Sequence, residues 1–217
     1  MNSKARKITL VGMLCAMAYI LVVLVRIPLV LFLEYEPKDV VITIGGLIGG
    51  PLTSFWVSLI VSWVEMLTIS EDGLFGLIMN VLSSCSFACT AAWIYKKRRS
   101  LRGAVAGLLC GYAFMVATML LWNDLIAPLY MGYPREAVEK LLLPAFLPFN
   151  LIKGGLNTAM TLLLYKPVIT ALRRAHLVES PPSARAGRLH FGVALASFLA
   201  LAALILLALL LRGIPIP

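Results

Sequence analysis

Charged residues are scarce in this sequence. Of its 217 residues, 13% are charged and 61% are hydrophobic, with a mean hydropathy of +0.94. Soluble domains carry about 25% charged residues, so the scarcity excludes an ordinary soluble domain. Apolar runs long enough to cross a bilayer follow one another along the chain. We therefore predict an integral membrane protein with no sizeable soluble domain, so that any ATP-binding domain belongs to another polypeptide.

The side chains that carry most enzyme chemistry are also few. The two histidines, His176 and His190, lie in or beside a predicted linker, and no H-E-x-x-H motif occurs, which argues against a zinc enzyme or a Ser-His-Asp hydrolase. No G-x-x-x-x-G-K-[ST] loop is present for a nucleotide. We interpret the four cysteines, all within apolar runs, as small helix residues: Cys15, Cys85, Cys89 and Cys110. The sequence thus predicts no enzyme activity, metal site or cofactor.

Apolar runs and helix breakers, taken in order, predict seven helical spans. These cover about residues 8–29, 38–50, 51–69, 74–95, 101–122, 149–172 and 191–211. Span 2 is short and rich in glycine, and Pro51 begins span 3. We predict an all-α integral membrane protein in three parts, a six-helix membrane domain, a cytoplasmic linker and an additional C-terminal transmembrane helix: residues 1–176, 177–189 and 190–217. Residues 30–37 and 123–148 are expected to form a short connection and a long polar loop.

The placement of lysine and arginine predicts the orientation of the chain, because cytoplasmic loops carry an excess of both. With a cytoplasmic N-terminus, 13 of the 19 basic residues fall in inside loops: Lys4, Arg6, Lys7, Lys96, Lys97, Arg98, Arg99, Arg102, Lys166, Arg173, Arg174, Arg185 and Arg188. Eight acidic residues then fall outside: Glu34, Glu36, Asp39, Glu71, Asp72, Asp124, Glu136 and Glu139. We predict a multi-pass plasma-membrane protein with a cytoplasmic N-terminus, whose net charge of +9 reflects topology and not a nucleic-acid partner.

Small residues four positions apart recur on three spans. Gly12 and Ala16 on span 1 form one such pair, and similar patterns occur among the glycines of spans 2 and 5. This spacing puts small residues on one helical face, where another helix can approach closely. The patterns fit either packing inside the bundle or docking to a partner subunit. Span 1 is the predicted docking face because its surface is almost wholly apolar.

Lys153 is the most informative polar residue at membrane depth, since ionisable groups in spans usually face a cavity or a partner. Asn150 precedes it by three residues, so both side chains project from the same helical face. An ammonium group and an amide together suit a flat polar heterocycle with carbonyls and ring nitrogens. Alternatively, Lys153 reaches to the interface and Asn150 caps the helix start. Glu65 and Asn80 are isolated, and we expect each to bond a neighbouring helix.

Two further polar groups lie at the predicted outer end of the bundle. Asp39 belongs to an acidic junction before span 2, where it could cap the helix, and Leu33 and Tyr35 could form a lid over a pocket. Asn123 opens the long outer loop, where capping or a turn would also explain it. Because these groups and the Asn150 face all fall at one end, we predict a single site that is open to the outside.

The chain resembles the substrate-binding S subunits of energy-coupling-factor (ECF) vitamin transporters, and in particular their riboflavin-specific branch. The resemblance covers roughly residues 8–172 and rests on three segments. They are the small-residue helix 1 (Gly12, Ala16, Ala18), the junction Glu36-Pro37-Lys38-Asp39 before a short helix ending Gly49-Gly50-Pro51, and the segment Pro148-Phe149-Asn150-Leu151-Ile152-Lys153-Gly154. The last segment is the most specific.

The resemblance implies a six-helix bundle that binds riboflavin near its outer face for ATP-driven uptake by a transmembrane coupling subunit and two ATPase subunits. It implies hydrogen bonds from Asn150 and Lys153 to the isoalloxazine ring and a polar contact from Asn123. Leu33, Tyr35 and Asp39 would belong to the lid and the pocket wall. Thr43 and Gly45 on helix 2 would allow close approach. The seventh span departs from the family pattern.

Three other functions stay open at this stage. The chain could be an S subunit for another vitamin or for a related flavin such as FMN. It could be a stand-alone ion-coupled carrier, although the sequence shows no convincing internal repeat of the kind such carriers contain. A membrane enzyme is disfavoured by the missing catalytic groups.

Overall fold

Helices make up nearly all of the structure. The computed structural model describes residues 3–30, 33–70, 72–174 and 189–212. In chain order the elements are α1 (Ser3–Leu24), β1 (Ile27–Val30), β2 (Leu33–Tyr35), α2 (Lys38–Gly49), α3 (Pro51–Thr68), α4 (Gly73–Lys97), α5 (Leu101–Leu125), α6 (Ala127–Met131), α7 (Arg135–Leu141), a π-helical stretch (Leu142–Phe146), α8 (Leu147–Arg174) and α9 (Leu189–Arg212). The predicted helical membrane architecture is confirmed. Most of the predicted linker, 177–189, lies outside the described residues.

The predicted spans correspond in order to α1, α2, α3, α4, α5, α8 and α9. Within the described ranges, four helices are long and apolar enough to cross a membrane: Ala5–Leu24, Pro51–Thr68, Gly73–Lys97 and Leu101–Leu125. Helix α8 has 28 residues and α9 has 24, so both also exceed the roughly 20 residues of a span.

The end of span 1 was predicted wrongly. Helix α1 stops at Leu24, and Ile27–Val30 pairs with β2 as an antiparallel hairpin in which Ile27 faces Tyr35. Pro28 has no amide hydrogen to donate and disfavours helical geometry in the residue before it, and β-branched side chains favour a strand. We call this β1–β2 unit the hairpin and its end of the bundle the hairpin end.

The long loop predicted for 123–148 is largely helical. Helix α5 continues to Leu125, and α6, α7 and the π-helical stretch follow. Gly132 ends α6 in the left-handed region (φ 67°), where glycine fits without strain. Helix α7 is amphipathic, with Val138 buried and an Arg135–Glu139 ion pair of 3.1 Å along its exposed side. The polar side chains obscured this pattern in the sequence.

Helix α2 is an inner helix, not a full span. Its 12 residues extend about 18 Å, and ten of them are buried. It contacts α1, α3, α4 and α8. Because other helices surround α2, its polar side chains enter the interior of the bundle and not the lipid, which places Lys38 and Asp39 among buried groups.

Glycines on α5 allow close contact with α4. A Cβ atom at Gly107 would lie 2.7 Å from the Ala91 carbonyl oxygen, and one at Gly111 would clash with the Phe87 carbonyl oxygen. Gly12 on α1 differs, since nothing lies within 4 Å of its Cβ position. Gly107 and Gly111 of α5 therefore serve internal packing, whereas Gly12 and Ala16 of α1 lie on an exposed face.

This contrast predicts opposite effects of one kind of substitution. Gly111→Ala should lower the thermal stability of the protein in detergent, because overpacking typically costs about 1–3 kcal/mol. Gly12→Ala should leave the melting temperature unchanged or raise it, since alanine favours a helix over glycine by about 1 kcal/mol. Equal melting temperatures for the two variants would contradict the close α4–α5 contact.

Candidate functional site

Three polar side chains line one buried face of α8 at the hairpin end. Asn150, Lys153 and Asn157 are 1%, 9% and 0% exposed, and their spacing of three and four residues puts them on the same side of the helix. Lys153 therefore does not reach outward to an interface. A buried cation of this kind needs a partner of opposite charge.

Asp39 of α2 is that partner and joins three helices. Its Oδ2 lies 3.7 Å from Lys153 Nζ and accepts a hydrogen bond of 3.3 Å from Asn157 Nδ2. Its Oδ1 accepts a hydrogen bond of 2.5 Å from the Ser84 hydroxyl of α4. Both oxygens of the carboxylate thus contact groups inside the bundle, and the side chain does not cap α2. Asp39 holds α2, α4 and α8 together at one buried point.

The hairpin is tied to the same point through Tyr35. This buried side chain donates a hydrogen bond of 2.9 Å to Asn157 Oδ1, and its hydroxyl also lies 3.5 Å from Met160 Sδ. Leu33 packs between two apolar clusters, one of which contains Tyr35. We call the connected set the polar network: Tyr35, Asp39, Ser84, Lys153 and Asn157.

A second group of buried charges lies beside the polar network and centres on Lys38. This side chain is 1% exposed, and its Nζ lies 2.5 Å from Glu65 Oε2 and 2.9 Å from Glu36 Oε2. Glu65 also accepts a hydrogen bond of 3.1 Å from Asn80, so both isolated residues bond neighbouring helices, as expected. Arg26 completes the group at 3.3 Å from Glu36. Of these charges, the buried cations Lys38 and Lys153 are balanced by the buried carboxylates of Glu65 and Asp39, as buried charges require.

Other residues predicted for the site have different surroundings. Asn150 donates a hydrogen bond of 2.8 Å to the Phe146 carbonyl oxygen of the preceding turn. Asn123, which is 3% exposed, makes no side-chain hydrogen bond to the part of the chain that the structure describes. Thr43 donates to the Asp39 carbonyl oxygen at 2.6 Å. A Cβ atom on Gly45 would lie 2.7 Å from Leu14 Cδ1. The missing side chain of Gly45 therefore allows α1 to approach α2 closely, and this glycine does not face the polar network.

A cavity of about 280 Å³ lies between α1, α2 and α8. All of its lining residues are apolar: Leu14, Met17, Leu21, Val25, Pro37, Val40, Val41, Ile44, Met160, Leu164 and Val168. Such a lining cannot satisfy the donors and acceptors of a polar heterocycle. The polar network is therefore the candidate site for a polar ligand.

Sequence reasoning missed Ser84, Asn157 and Lys38, of which the last two had a signal. Asn157 follows Lys153 by four residues and so extends the same helical face. Lys38 could have been inferred from Glu65, because a lone acid in a span calls for a basic partner. Lys38 was passed over because it stands in a polar junction that resembles a surface turn.

The fold is that of a multi-pass membrane protein, and charged and amide side chains lie buried at one end of its helical bundle. The profile of the family described as "ECF transporter, substrate-specific component" matches residues 6–165. The chain belongs to this family.

Individual relatives agree with this assignment. The chain is 31% identical over 189 residues to the riboflavin transporter FmnP of Bacillus subtilis (strain 168), a match that covers 80% of this chain and 99% of the relative. It is 27% identical over 183 residues to the riboflavin transporter RibU of Staphylococcus aureus (strain TCH60), covering 80% and 95%. A solved structure described as the S component of a bacterial ECF transporter aligns with a TM-score of 0.66 at 26% identity, covering 79% of this chain and all of that one.

Proposed function

We propose that this chain binds riboflavin at the polar network and presents it for ATP-driven uptake by separate subunits. The observation that carries the proposal is the convergence of Asp39, Lys153 and Asn157 at one buried point at the hairpin end. The two relatives named as riboflavin transporters support the choice of ligand. No cofactor takes part, and riboflavin is the cargo.

The chemistry of the ligand matches the available side chains. The isoalloxazine ring is flat, and its polar edge carries carbonyl oxygens and ring nitrogens that need both donors and acceptors. Lys153 donates from its ammonium group, while Asn123 and Asn150 each offer an amide whose hydrogen-bonding capacity is not exhausted within the described residues. Leu33 and Tyr35 on the hairpin would cover the bound ring. Asp39 would fix Lys153, and Thr43 would belong to the α2 wall.

The hairpin end faces the outside in this proposal, and the N-terminus is in the cytoplasm. Five basic residues near the turn between α4 and α5 are the support, because such clusters stay on the cytoplasmic side: Lys96, Lys97, Arg98, Arg99 and Arg102. The protein would then capture riboflavin outside the plasma membrane. It would release the ligand inward when the whole subunit reorients, a motion favoured by its apolar lipid-facing surface.

The partners would be a transmembrane coupling subunit and two ATPase subunits. Uptake of labelled riboflavin by cells lacking their own transporter tests this arrangement. We expect uptake when all subunits are expressed, and none when the P-loop lysine of the ATPases is replaced. Uptake by this chain alone, driven by an ion gradient, would instead identify a stand-alone carrier. Competition by FMN and other vitamins separates the remaining alternative ligands.

Docking to the coupling subunit would use the exposed face of α1. Gly12 and Ala16 are exposed one turn apart on this face, where a partner helix could approach closely. Ala16→Leu should reduce co-purification of the coupling subunit and slow riboflavin uptake, while riboflavin binding to the isolated chain stays unchanged. Ala113→Leu, at an exposed position of α5, is the matched control. Equal co-purification of both variants would rule out this face.

A further inference from the structure

Helix α9 lies beyond residues 6–165, which the family profile matches. It packs against α8 at a point of close approach, where a Cβ atom on Gly155 would lie 2.7 Å from Leu204 Cδ1. Both residues stand eight positions from one end of their helices: Gly155 from the start of α8 and Leu204 from the end of α9. Nearer the C-terminus of α9, Ala208 shares an apolar cluster with β1 and with Phe149 near the start of α8, so the two helices run antiparallel and the C-terminal part of α9 lies at the hairpin end.

The C-terminal part of α9 contacts the hairpin. Ala208 is 4% exposed and belongs to the same apolar cluster as Leu29 and Val30 of β1, which are 5% and 3% exposed. Tyr35 of β2 and Leu156 of α8 complete this contact region. Strand β1 is thus in contact with α9 as well as with α8.

This contact matters because a two-stranded hairpin is at best marginally stable alone. The hairpin carries Leu33 and Tyr35, and its hydrogen bond to the polar network is the one from Tyr35 to Asn157. Apolar packing of α9 against β1 stabilises the hairpin in its place on the bundle. The hydrogen bond from Tyr35 to Asn157 fixes the position of the hairpin relative to α8. Loss of the packing would loosen the hairpin and Tyr35 with it, while the contacts of Asp39 with Ser84, Lys153 and Asn157 would stay in place.

We propose that α9 is a positioning element that holds the hairpin over the polar network and slows release of the bound ligand. The inference rests on the proposed function in naming riboflavin as that ligand. A looser hairpin weakens the cover over the bound ligand, and affinity changes within one complex appear mostly in the dissociation rate constant, so this rate constant should rise most.

The test uses the full chain with one overpacked variant, one exposed control and one variant that removes a packing group. Ala208→Leu forces a larger side chain against β1, while Ala203→Leu adds the same group at an exposed position of the same helix. Stopped-flow flavin fluorescence gives the association and dissociation rate constants. We expect about tenfold faster dissociation for Ala208→Leu, an association rate constant within about twofold of wild type, and wild-type values for Ala203→Leu. Leu204→Ala, which removes a packing group, should also speed dissociation and serves if Ala208→Leu does not fold.

A readout without ligand separates this proposal from the proposed function. Hydrogen exchange of the backbone amides of residues 27–35 should be faster in Ala208→Leu and Leu204→Ala than in wild type and in Ala203→Leu. Faster exchange with no riboflavin binding by wild type would overturn the choice of ligand and keep the role of α9. Unchanged exchange and unchanged dissociation in both α9 variants would overturn the role of α9.

Discussion

Asp39→Asn is expected to lower the free energy of unfolding by about 3–5 kcal/mol, the usual cost of breaking a buried ion pair from one side. The substitution preserves shape but removes the negative charge that faces Lys153 at 3.7 Å. It also replaces an oxygen that accepts from Ser84 or Asn157 with a donor. Lys153 is then left buried without its counter-charge, so riboflavin binding should also fall below detection. Thermal unfolding and riboflavin titration in detergent measure the two effects.

Asp124→Asn is the matched control for this prediction. Asp124 lies 2.9 Å from Arg135, but that pair is solvent-exposed, with 26% and 59% of the two side chains accessible. Exposed pairs contribute about 0–1 kcal/mol, so this variant should melt near the wild-type temperature. Replacing both Asp39 and Lys153, by Asn and Met, should recover part of the stability lost in Asp39→Asn, because it leaves no unpaired charge. Equal stability of Asp39→Asn and Asp124→Asn would contradict the assignment of Asp39 as the junction of three helices.

Lys153→Ala is expected to weaken riboflavin binding by about 10- to 100-fold. A hydrogen bond from a charged donor contributes about 1.5–3 kcal/mol, and each 1.4 kcal/mol corresponds to a factor of ten. Asp39 keeps its hydrogen bonds from Ser84 and Asn157 in this variant, but its buried charge loses the counter-charge, so stability should also fall, by up to about 3–5 kcal/mol. Affinity is therefore compared on protein that is shown to be folded. The ratio of affinities comes from fluorescence quenching of riboflavin by the purified variants.

Lys140→Ala provides the comparison for the loss of a positive charge at the same end of the bundle. Lys140 lies in the last turn of α7, where its side chain is exposed. Its removal should leave riboflavin affinity within about twofold of wild type, since exposed charges are screened by solvent and salt. Wild-type affinity in Lys153→Ala would remove Lys153 from the site.

The membrane spans could be predicted from the sequence because long apolar runs have no other stable environment. The pairing of Asp39 with Lys153 could not, although both residues were predicted for the site. Their positions are separated by more than a hundred residues, and only the packing of α2 against α8 brings them together. The local pattern favoured a capping role for Asp39, and it left Lys153 evenly divided between the site and the interface.

Other errors have a common physical cause. The strand at Ile27–Val30 and the helix at Arg135–Leu141 are set by their packing against the bundle, and hydropathy alone does not reveal it. Gly45 was predicted beside the ligand, but its missing side chain admits Leu14 of α1. A sequence shows that a glycine permits close approach, and only the fold shows which group approaches.

The most direct test of the central claim is titration of the ligand-free, purified full chain with riboflavin, followed by quenching of flavin fluorescence. We predict saturable binding of about one riboflavin per chain, as expected for a single enclosed site. Protein purified from cells grown with the vitamin should also carry a yellow flavin absorbance. Absence of saturable riboflavin binding by correctly folded wild-type protein would contradict the account.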